Sequence, residues 1–451
     1  MNSKKILFFF VITILLSSCS FDSKNRSGVW SGAEAERNRV VRLEKEQVEK
    51  KINKKIFTSK SRYIEEKILK DIINLSKPKK NSSWVMSGLN YQNSLGNIYL
   101  PNATNRFFKK KVGKNKISIS KITTTPLIYN QKFFISDDKG TIFNLHKSGD
   151  VNWKKNIYKK IYKKIYKNLT FSIYKNKLYV ADNIGFIYAI SIDTGKLIWI
   201  KNHGIPIKSK IEIFNDKIFL MNQDNRLVSL NVSDGSIVWD VRSITSFIKS
   251  QKLLSIAISE NKDIVAITSS GDLINVDSIS GNIKWSLNTL GSDLADVTDF
   301  FKSSDIVIIK DNIILSTATT MLSFSLSNGY NNWSSDISSV STPIVDGKNI
   351  FFVTEDGFFI IMDFDTGKII SSINILNIFK KKKKNRIIKG FIMGSGKIYS
   401  VTLDGYLIIS SATTGKTESF IKIGSPITSS PIINEGHMYI YTENSRLLGF
   451  N

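Results

Sequence analysis

The chain has 451 residues, of which 41% are hydrophobic and 11% aromatic, so it is long enough for two or three ordinary domains or one large repeat domain. Its formal net charge of +26 fits an anionic partner such as lipid, and it fits equally a general abundance of lysine. The single cysteine, Cys19, excludes a disulfide framework and a thiolate metal site.

The N-terminus has the pattern of an export signal over residues 1–18. Two lysines precede an apolar run at 6–16 that is too short to cross a bilayer as a helix. The run ends in "LSSC", which resembles the lipobox of bacterial lipoproteins and implies cleavage before Cys19 and acylation of that residue. Ser20 follows where an aspartate is associated with inner-membrane retention, so the resemblance implies the outer membrane. An ordinary signal peptide with an incidental cysteine is the alternative.

Residues 19–81 are predicted to form a tether rich in lysine and glutamate. Apolar residues at Ile64, Ile68, Leu69 and Ile72 lie at the spacing of one helical face, and a proline at position 78 ends that pattern. The tether is therefore expected to contain one or two marginal helices. A helix that recruits a partner is the alternative interpretation.

A repeated phrase, Gly-x-x-x-Trp, dominates the chain from residue 84 onward. It follows two other turn signals in a fixed order, and three turns joining four strands make the antiparallel unit of a β-propeller blade. The phrase glycines are 38 to 48 residues apart. These glycines are Gly149, Gly195, Gly235, Gly281, Gly329, Gly367 and Gly415. The tryptophans are Trp153, Trp199, Trp239, Trp285 and Trp333.

The two ends of this region predict an eighth blade. The chain stops at Asn451 where the fourth strand of the last blade should follow, and "SSWVMSG" at 82–88 has a tryptophan, Trp84, but no preceding strands of its own. We therefore predict an all-β fold, an eight-bladed β-propeller over residues 82–451. Its four-stranded antiparallel blades would be closed by pairing this N-terminal strand with the C-terminal blade.

The phrase itself is interpreted as structural. Glycine accepts the positive φ that the turn requires, and a large ring four residues later can pack on the neighbouring blade. Stacking of the tryptophans on a ligand is the alternative, and five copies around a ring favour structure. Serine replaces tryptophan at Ser371 and Ser419, which predicts altered packing between the late blades.

The frame A-x-x-x-D-T-G-x-x-x-W, from Ala189 to Trp199, resembles the PQQ repeat of quinoprotein-like propellers. Two families with this repeat compete: quinone-dependent dehydrogenases and the BamB lipoproteins of the outer-membrane β-barrel assembly machinery. The lipobox, the single propeller and "SSWVMSGLNYQNSLGNIYL" resemble the BamB family. The resemblance implies a scaffold without catalysis or cofactor, anchored through Cys19 at the periplasmic face of the outer membrane.

The partners implied by the resemblance are a BamA-type insertase, other subunits of the assembly complex and unfolded outer-membrane proteins, with no nucleic acid. In the family, contacts with the insertase come from two neighbouring inter-blade loops. The nearest equivalents in the first loop are Phe247, Ile248 and Lys249. Those in the second are Leu294, Asp296, Thr298 and Asp299. Asp296 is the preferred single residue, and a solvated loop aspartate is the alternative.

The sequence offers no catalytic constellation. Its three histidines, His146, His203 and His437, fall in different repeats, and no nucleophile elbow, phosphate loop or zinc-protease motif is present. Quinone enzymes need a Ca²⁺-binding Glu/Asn/Asp set in the channel, which cannot be assembled from the sequence. A periplasmic PQQ-dependent dehydrogenase is the alternative function.

Two basic tracts, at 156–168 and 380–386, interrupt the repeats. Both fall in predicted inter-blade connections, where propellers place binding surfaces. Either tract could lie on anionic lipid headgroups or be a solvated loop. A blade edge that pairs with an extended client is a further hypothesis for how the scaffold acts.

Overall fold

A computed structural model describes residues 64–69, 72–115, 124–162, 164–242, 253–289, 303–379 and 386–451. The signal segment, Cys19 and most of the tether lie outside these residues. Residues 65–451 form one compact unit. Within its described part, eight four-stranded antiparallel sheets follow one another around a ring, which confirms the predicted eight-bladed propeller.

The first strand in the chain, β1 (Arg106–Lys111), belongs to the last blade, and the other strands follow in meander order from the channel outward. Blade 1 contains β2 (Leu127–Tyr129), β3 (Lys132–Ser136), β4 (Ile142–His146) and β5 (Val151–Lys155). Blade 2 contains β6 (Leu169–Tyr174), β7 (Lys177–Asp182), β8 (Phe186–Ser191) and β9 (Leu197–Asn202). Blade 3 contains β10 (Glu212–Phe214), β11 (Lys217–Met221), β12 (Arg226–Asn231) and β13 (Ile237–Arg242). Blade 4 contains β14 (Ile256–Ile258), β15 (Asp263–Ile267), β16 (Asp272–Asp277) and β17 (Ile283–Asn288).

The remaining blades repeat the same order. Blade 5 contains β18 (Val307–Ile309), β19 (Asn312–Ser316), β20 (Met321–Ser325) and β21 (Asn331–Ser335). Blade 6 contains β22 (Ile344–Asp346), β23 (Asn349–Val353), β24 (Phe358–Asp363) and β25 (Ile369–Asn374). Blade 7 contains β26 (Ile388–Gly394), β27 (Lys397–Thr402), β28 (Tyr406–Ser411) and β29 (Thr417–Lys422). Blade 8 contains β30 (Ile432–Asn434), β31 (His437–Tyr441), β32 (Arg446–Phe450) and β1. Short 3₁₀ turns occupy Lys160–Tyr162 and Ile375–Ile378.

Burial along the strands explains why the blades stack. The second and third strands are buried on both faces, as in β7, because each blade is covered by a neighbour on either side. The outer strands alternate between partly buried and exposed positions, as in β13, because they lie at the rim of the ring. The core is therefore a continuous set of apolar layers between blades.

The ring is closed by β1, which runs antiparallel to β32 with Lys111 opposite Arg446. The prediction that an N-terminal strand completes the C-terminal blade is confirmed, but its placement at 82–88 is wrong. Trp84 is buried beside the channel, where its backbone bridges Ile128 of the innermost strand of blade 1. Phe108 of β1 supplies the ring at the closing junction, and it lies 3.1 Å from the position a Cβ would take at Gly149.

A tryptophan and a glycine join consecutive blades through most of the ring. The Trp153 ring covers Gly195 of the next blade, where an added Cβ would lie 2.7 Å from ring atom Cδ2. Its Nε1 donates a hydrogen bond of 2.8 Å to the carbonyl of Ile192, just before that glycine's turn. The same two contacts recur at four further junctions, formed by Trp199 with Gly235, Trp239 with Gly281, Trp285 with Gly329, and Trp333 with Gly367.

The junction between blades 6 and 7 is packed differently. The side chain that faces Gly415 belongs to Ile373, whose Cδ1 would be 2.8 Å from an added Cβ. Ser371 is nonetheless buried, because residues near the start of the described chain cover this part of blade 6.

The expected tether helix is absent from residues 64–69 and 72–75, which have no helical structure. Lys67 pairs with Ser372 on the outer strand of blade 6 instead. Ile68 and Ile72 are 74% and 76% exposed, so the apolar face of the predicted helix is not buried. Helix propensity is a weak preference here, and an open strand edge supplies competing backbone partners. Among the described residues, no helix has the length and apolarity needed to cross a membrane.

Replacing Gly195 with alanine should destabilise the ring more than the same change at Gly204. Both glycines have a positive φ, +67° and +72°, so both substitutions carry the backbone cost. Only Gly195 also meets an indole ring, and overpacking typically adds about 1–3 kcal/mol. Urea unfolding of the two variants would measure the difference.

A double-mutant cycle supplies the control for this prediction. In a Trp153→Leu background, Gly195→Ala should lose most of its excess cost, because the clashing ring is gone. Equal costs for Gly195→Ala in the two backgrounds would show that the ring contact does not determine the glycine requirement.

Candidate interaction surface

The two faces of the propeller carry different kinds of loop. We call the face where the chain passes from one blade to the next the connection face. The eight stretches that join the outer strand of one blade to the innermost strand of the next are residues 112–126, 156–168, 203–211, 243–255, 289–306, 336–343, 375–387 and 423–431, some of which lie partly outside the described residues. The opposite turn face holds the tight turns that contain the repeated phrase. Since strands alternate in direction, the strand ends that flank all of these connections lie on the connection face, and connections of different length make it the variable surface of this fold.

The sequence-predicted contact residues belong, by their position in the chain, to two successive connections between blades. Phe247, Ile248 and Lys249 belong to the connection between blades 3 and 4. Leu294, Asp296, Thr298 and Asp299 belong to the connection between blades 4 and 5. All seven lie outside the described residues. The strand ends that precede them are Arg242 of blade 3 and Asn288 of the neighbouring blade 4.

At the connection-face end of the channel, an ion pair joins the residues that lead into blades 3 and 5. The Lys210 ammonium lies 2.5 Å from Oδ2 of Asp305, which also accepts a hydrogen bond of 2.8 Å from Thr342. Glu212, on the same strand entry as Lys210, is fully buried. Burial raises the pKa of the Glu212 carboxyl well above its usual value; nearby Lys210 opposes the rise and Asp305 adds to it.

This donor set does not fit the Ca²⁺ and quinone of a quinoprotein enzyme. Ca²⁺ takes six to eight oxygen ligands and draws on ionised carboxylates, whereas the Asp305 carboxylate is already paired with the Lys210 ammonium and the Thr342 hydroxyl. No group of three or more acidic, histidine or cysteine side chains converges to hold a metal within the described part of the chain. The channel mouth therefore has the chemistry of a structural ion pair.

At the turn-face end, the channel is crossed by residues 76–100, which we call the crossing segment. It contacts the innermost strand, or the turn after it, of every blade. Two examples are the Trp84 amide, which donates to Ile128 O at 2.7 Å, and the Ile258 amide, which donates to Tyr91 O at 2.7 Å. Its partners from blade 1 to blade 8 are Ile128, Ile173, Phe214, Ile258, Ile308, Asp346, Ser395 and Ile433.

Asn93 is the most buried polar residue of the crossing segment. Its amide nitrogen donates to the carbonyls of Ile256 and Ile306, each at 3.0 Å, and so joins blades 4 and 5. A cavity of about 610 Å³ lies between the segment and blades 5 and 6, with Asn97 and Asp346 in its lining. The centre of the ring is thus crossed at this end by the chain's own backbone and amide side chains, which leave a cavity beside blades 5 and 6.

A second contact of the N-terminal region covers the outer edge of blade 6. Lys67 and Ser372 exchange two backbone hydrogen bonds of 2.9 Å, and Ser371 and Ser372 donate to the carbonyls of Lys67 and Glu65. The Glu66 carboxylate accepts from the backbone amide of Asn374. We call residues 65–67 the edge strand; it shows that the rim of blade 6 accepts an extended segment.

Sequence reasoning missed both the crossing segment and the edge strand. The crossing segment has neither helical nor strand periodicity, since its partners are carbonyls and amides around a ring. Its asparagines and glycines were the available signal, because such residues supply local hydrogen bonds and tight turns. The serine pair at 371–372 was the corresponding signal on blade 6.

Comparison with known proteins decides the family. The family described as "Outer membrane protein assembly factor BamB" matches residues 139–372, just over half of the chain. The chain belongs to the BamB family. A BamB protein of Nitrosomonas eutropha is 20% identical over 260 residues, which cover 56% of this chain and 59% of that relative. The chain therefore matches well under two thirds of that relative's length.

Solved structures resemble the propeller at low identity. BamB from Moraxella catarrhalis aligns with a TM-score of 0.61 and 11% identity, covering 76% of this BamB-family chain and 100% of that one. Quinohemoprotein alcohol dehydrogenase from Comamonas testosteroni aligns with a TM-score of 0.64 and 12% identity, covering 82% and 81%. At these identities the likeness concerns the fold alone.

A disulfide should trap the edge strand on blade 6. Lys67 and Ser372 exchange both backbone hydrogen bonds, so their Cα atoms should be about 5.5 Å apart, within the range that a disulfide spans. In a Cys19→Ser background, the Lys67→Cys/Ser372→Cys variant should form an internal cross-link on mild oxidation. Gel mobility with and without reductant measures it.

The matched control moves the second cysteine to the equivalent position of the next blade. Lys67→Cys/Phe420→Cys should stay reduced under the same conditions. Efficient cross-linking of both pairs would show that residues 65–67 have no fixed place at the rim.

Proposed function

We propose that the chain is a non-catalytic scaffold lipoprotein of the outer-membrane β-barrel assembly complex. It would be acylated at Cys19, face the periplasm, dock on a BamA-type insertase and assist delivery and insertion of outer-membrane proteins. The family match carries this proposal, and the gathering of long connections on one face supports it. Phe247, Ile248, Lys249, Leu294, Asp296, Thr298 and Asp299 are its proposed insertase contacts.

The filled centre of the ring supports a scaffold over an enzyme. The crossing segment occupies the turn-face end of the channel, and at the other end Lys210 is paired with Asp305 beside the buried Glu212. These contacts use the channel to hold blades together. Recognition is then left to the connection face and the blade edges.

Strand addition at a blade edge is the proposed way in which a client is held. The edge strand is bound by reciprocal main-chain hydrogen bonds to Ser372. The side-chain hydroxyls of Ser371 and Ser372 also donate hydrogen bonds to its carbonyls. Such contacts depend on backbone and little on sequence, which suits a protein that handles many unfolded clients.

Pull-down from detergent-solubilised membranes is the direct test of the scaffold proposal. The chain should recover subunits of the barrel assembly complex, and Asp296→Ala should lower recovery by roughly tenfold, as expected when one charged interface contact is removed. The amounts of insertase in the eluates measure the effect.

Asp365→Ala is the matched control, because Asp365 is an exposed aspartate on the turn face. It should leave recovery unchanged. A wild-type eluate without assembly subunits would contradict the scaffold proposal, and equal recovery with Asp296→Ala would contradict the assignment of that residue.

Dye reduction tests the runner-up function, a PQQ-dependent dehydrogenase, which is built on the same propeller fold. With pyrroloquinoline quinone, Ca²⁺ and short alcohols, the purified chain should show no turnover, because the Asp305 carboxylate at the channel mouth is already paired with the Lys210 ammonium and the Thr342 hydroxyl. Sustained reduction of the dye would establish the dehydrogenase instead.

A further inference from the structure

The connection between blades 1 and 2 contains a basic loop with a fixed internal structure. We call residues 156–162 and 164–165 the lysine loop. A 3₁₀ turn at Lys160–Tyr162 shapes it, and a hydrogen bond of 3.1 Å from the Ile165 amide to Tyr162 O continues the turn. The Tyr158 amide is capped by the Asn156 side chain at 3.0 Å.

Aromatic rings hold the base of the loop on blade 2. The rings of Tyr158 and Tyr162 both meet Phe186 edge-on, with centroids 6.4 and 5.8 Å away. The Tyr158 hydroxyl donates to the Asp182 carboxylate, and the buried Lys167 lies 5.0 Å from the centre of the Tyr158 ring. The tyrosines are therefore committed to fixing the loop in place.

The tip of the loop, unlike its packed aromatic base, carries exposed lysine and isoleucine side chains. Lys159, Lys160 and Lys164 are exposed. Ile161 and Ile165 lie among them and are 74% and 45% exposed. Exposing apolar isoleucine side chains to water is unfavourable. Isoleucines between lysines suit a surface with anionic groups on the outside and an apolar layer directly beneath them.

We propose that the lysine loop is a membrane-contacting element that lies on a bilayer containing anionic phospholipid. Lys159, Lys160 and Lys164 pair with phosphate-bearing headgroups, and Ile161 and Ile165 enter the boundary between headgroups and acyl chains. The inference is independent of the proposed docking on an insertase, since it uses a different connection of the propeller.

The same residues favour a bilayer over nucleic acid. Single-stranded nucleic acid is bound by lysines together with aromatic rings on which bases stack. The rings of Tyr158 and Tyr162 are turned against Phe186, and the groups presented beside the lysines are aliphatic. Aliphatic tips among cations match a lipid interface.

Vesicle flotation tests the proposal with the chain from residue 20 onward, which keeps every described residue and has no acyl chain. It should bind phosphatidylcholine vesicles containing about 30 mol% phosphatidylglycerol, and binding should weaken in high salt. Replacing the three tip lysines with glutamine should lower the partition coefficient on the order of 100-fold, at about fivefold per cation. Ile161→Ser/Ile165→Ser should lower it roughly tenfold at unchanged charge.

Two matched controls separate the loop from the overall charge. Lys196→Gln/Lys368→Gln/Lys416→Gln removes three exposed lysines that follow phrase glycines on the turn face, and Ile279→Ser removes an isoleucine that is 70% exposed there. Both should bind vesicles as the parent chain does, and urea unfolding should show that all variants are folded.

Three outcomes would overturn the proposal. The first is no binding to anionic vesicles. The second is an equal loss from the turn-face lysine variant, which would make binding an effect of net charge. The third is binding to single-stranded polynucleotide that competes with vesicles and does not change with Ile161→Ser/Ile165→Ser, which would assign the loop to nucleic acid.

Discussion

The packing of one blade's tryptophan on the next blade's glycine is the contact on which the ring depends. The indole ring brings about 150–250 Å² of surface, and at about 25 cal/mol per Å² its burial is worth at most roughly 4–6 kcal/mol per junction. The hydrogen bond from Nε1 to a carbonyl fixes the ring's orientation; at Trp153 it is 2.8 Å long. Only glycine leaves room for the ring, so the two residues form a single fastening.

The crossing segment complements these junctions from the inside. The fastenings join neighbours at the rim, whereas the segment touches all eight innermost strands, and Asn93 ties blades 4 and 5 through one amide. It leads directly into β1, whose pairing with β32 brings Arg106 opposite Phe450. Closure therefore joins the two ends of the propeller, a contact of very high sequence separation that carries a large loop-closure cost. A segment bound to every blade reduces the freedom that β1 must lose on pairing.

The phrase was enough to predict the blades because its spacing reports a repeated unit. It did not predict the closing junction, where the ring that packs on Gly149 belongs to Phe108 of β1, a residue outside any copy of the phrase. Trp84, the residue predicted there from sequence, is buried beside the channel. The sequence pattern also failed for the tether, where Lys67 gains main-chain partners at Ser372 that a helix would not offer. Of the candidate site, the sequence predicted two neighbouring connections, which follow Arg242 at the end of blade 3 and Asn288 at the end of blade 4. The individual contact residues remain predictions, since loops make few of the local contacts that leave a pattern in sequence.

Residues that hold the blades together cannot readily change, so binding sites are expected elsewhere on the propeller. The turn face is occupied by glycine turns and by the crossing segment, and the channel mouth by the pairing of Lys210 with Asp305. A change at either place disturbs contacts between blades. A connection is tied to the blades mainly near its ends, as Lys210 and Asp305 are just before the strands that they lead into, and its length between those ends can vary without changing the strands. Two propellers built on the same repeat can therefore differ completely in activity while keeping the same junctions, and likeness of fold alone does not transfer an activity from one to the other.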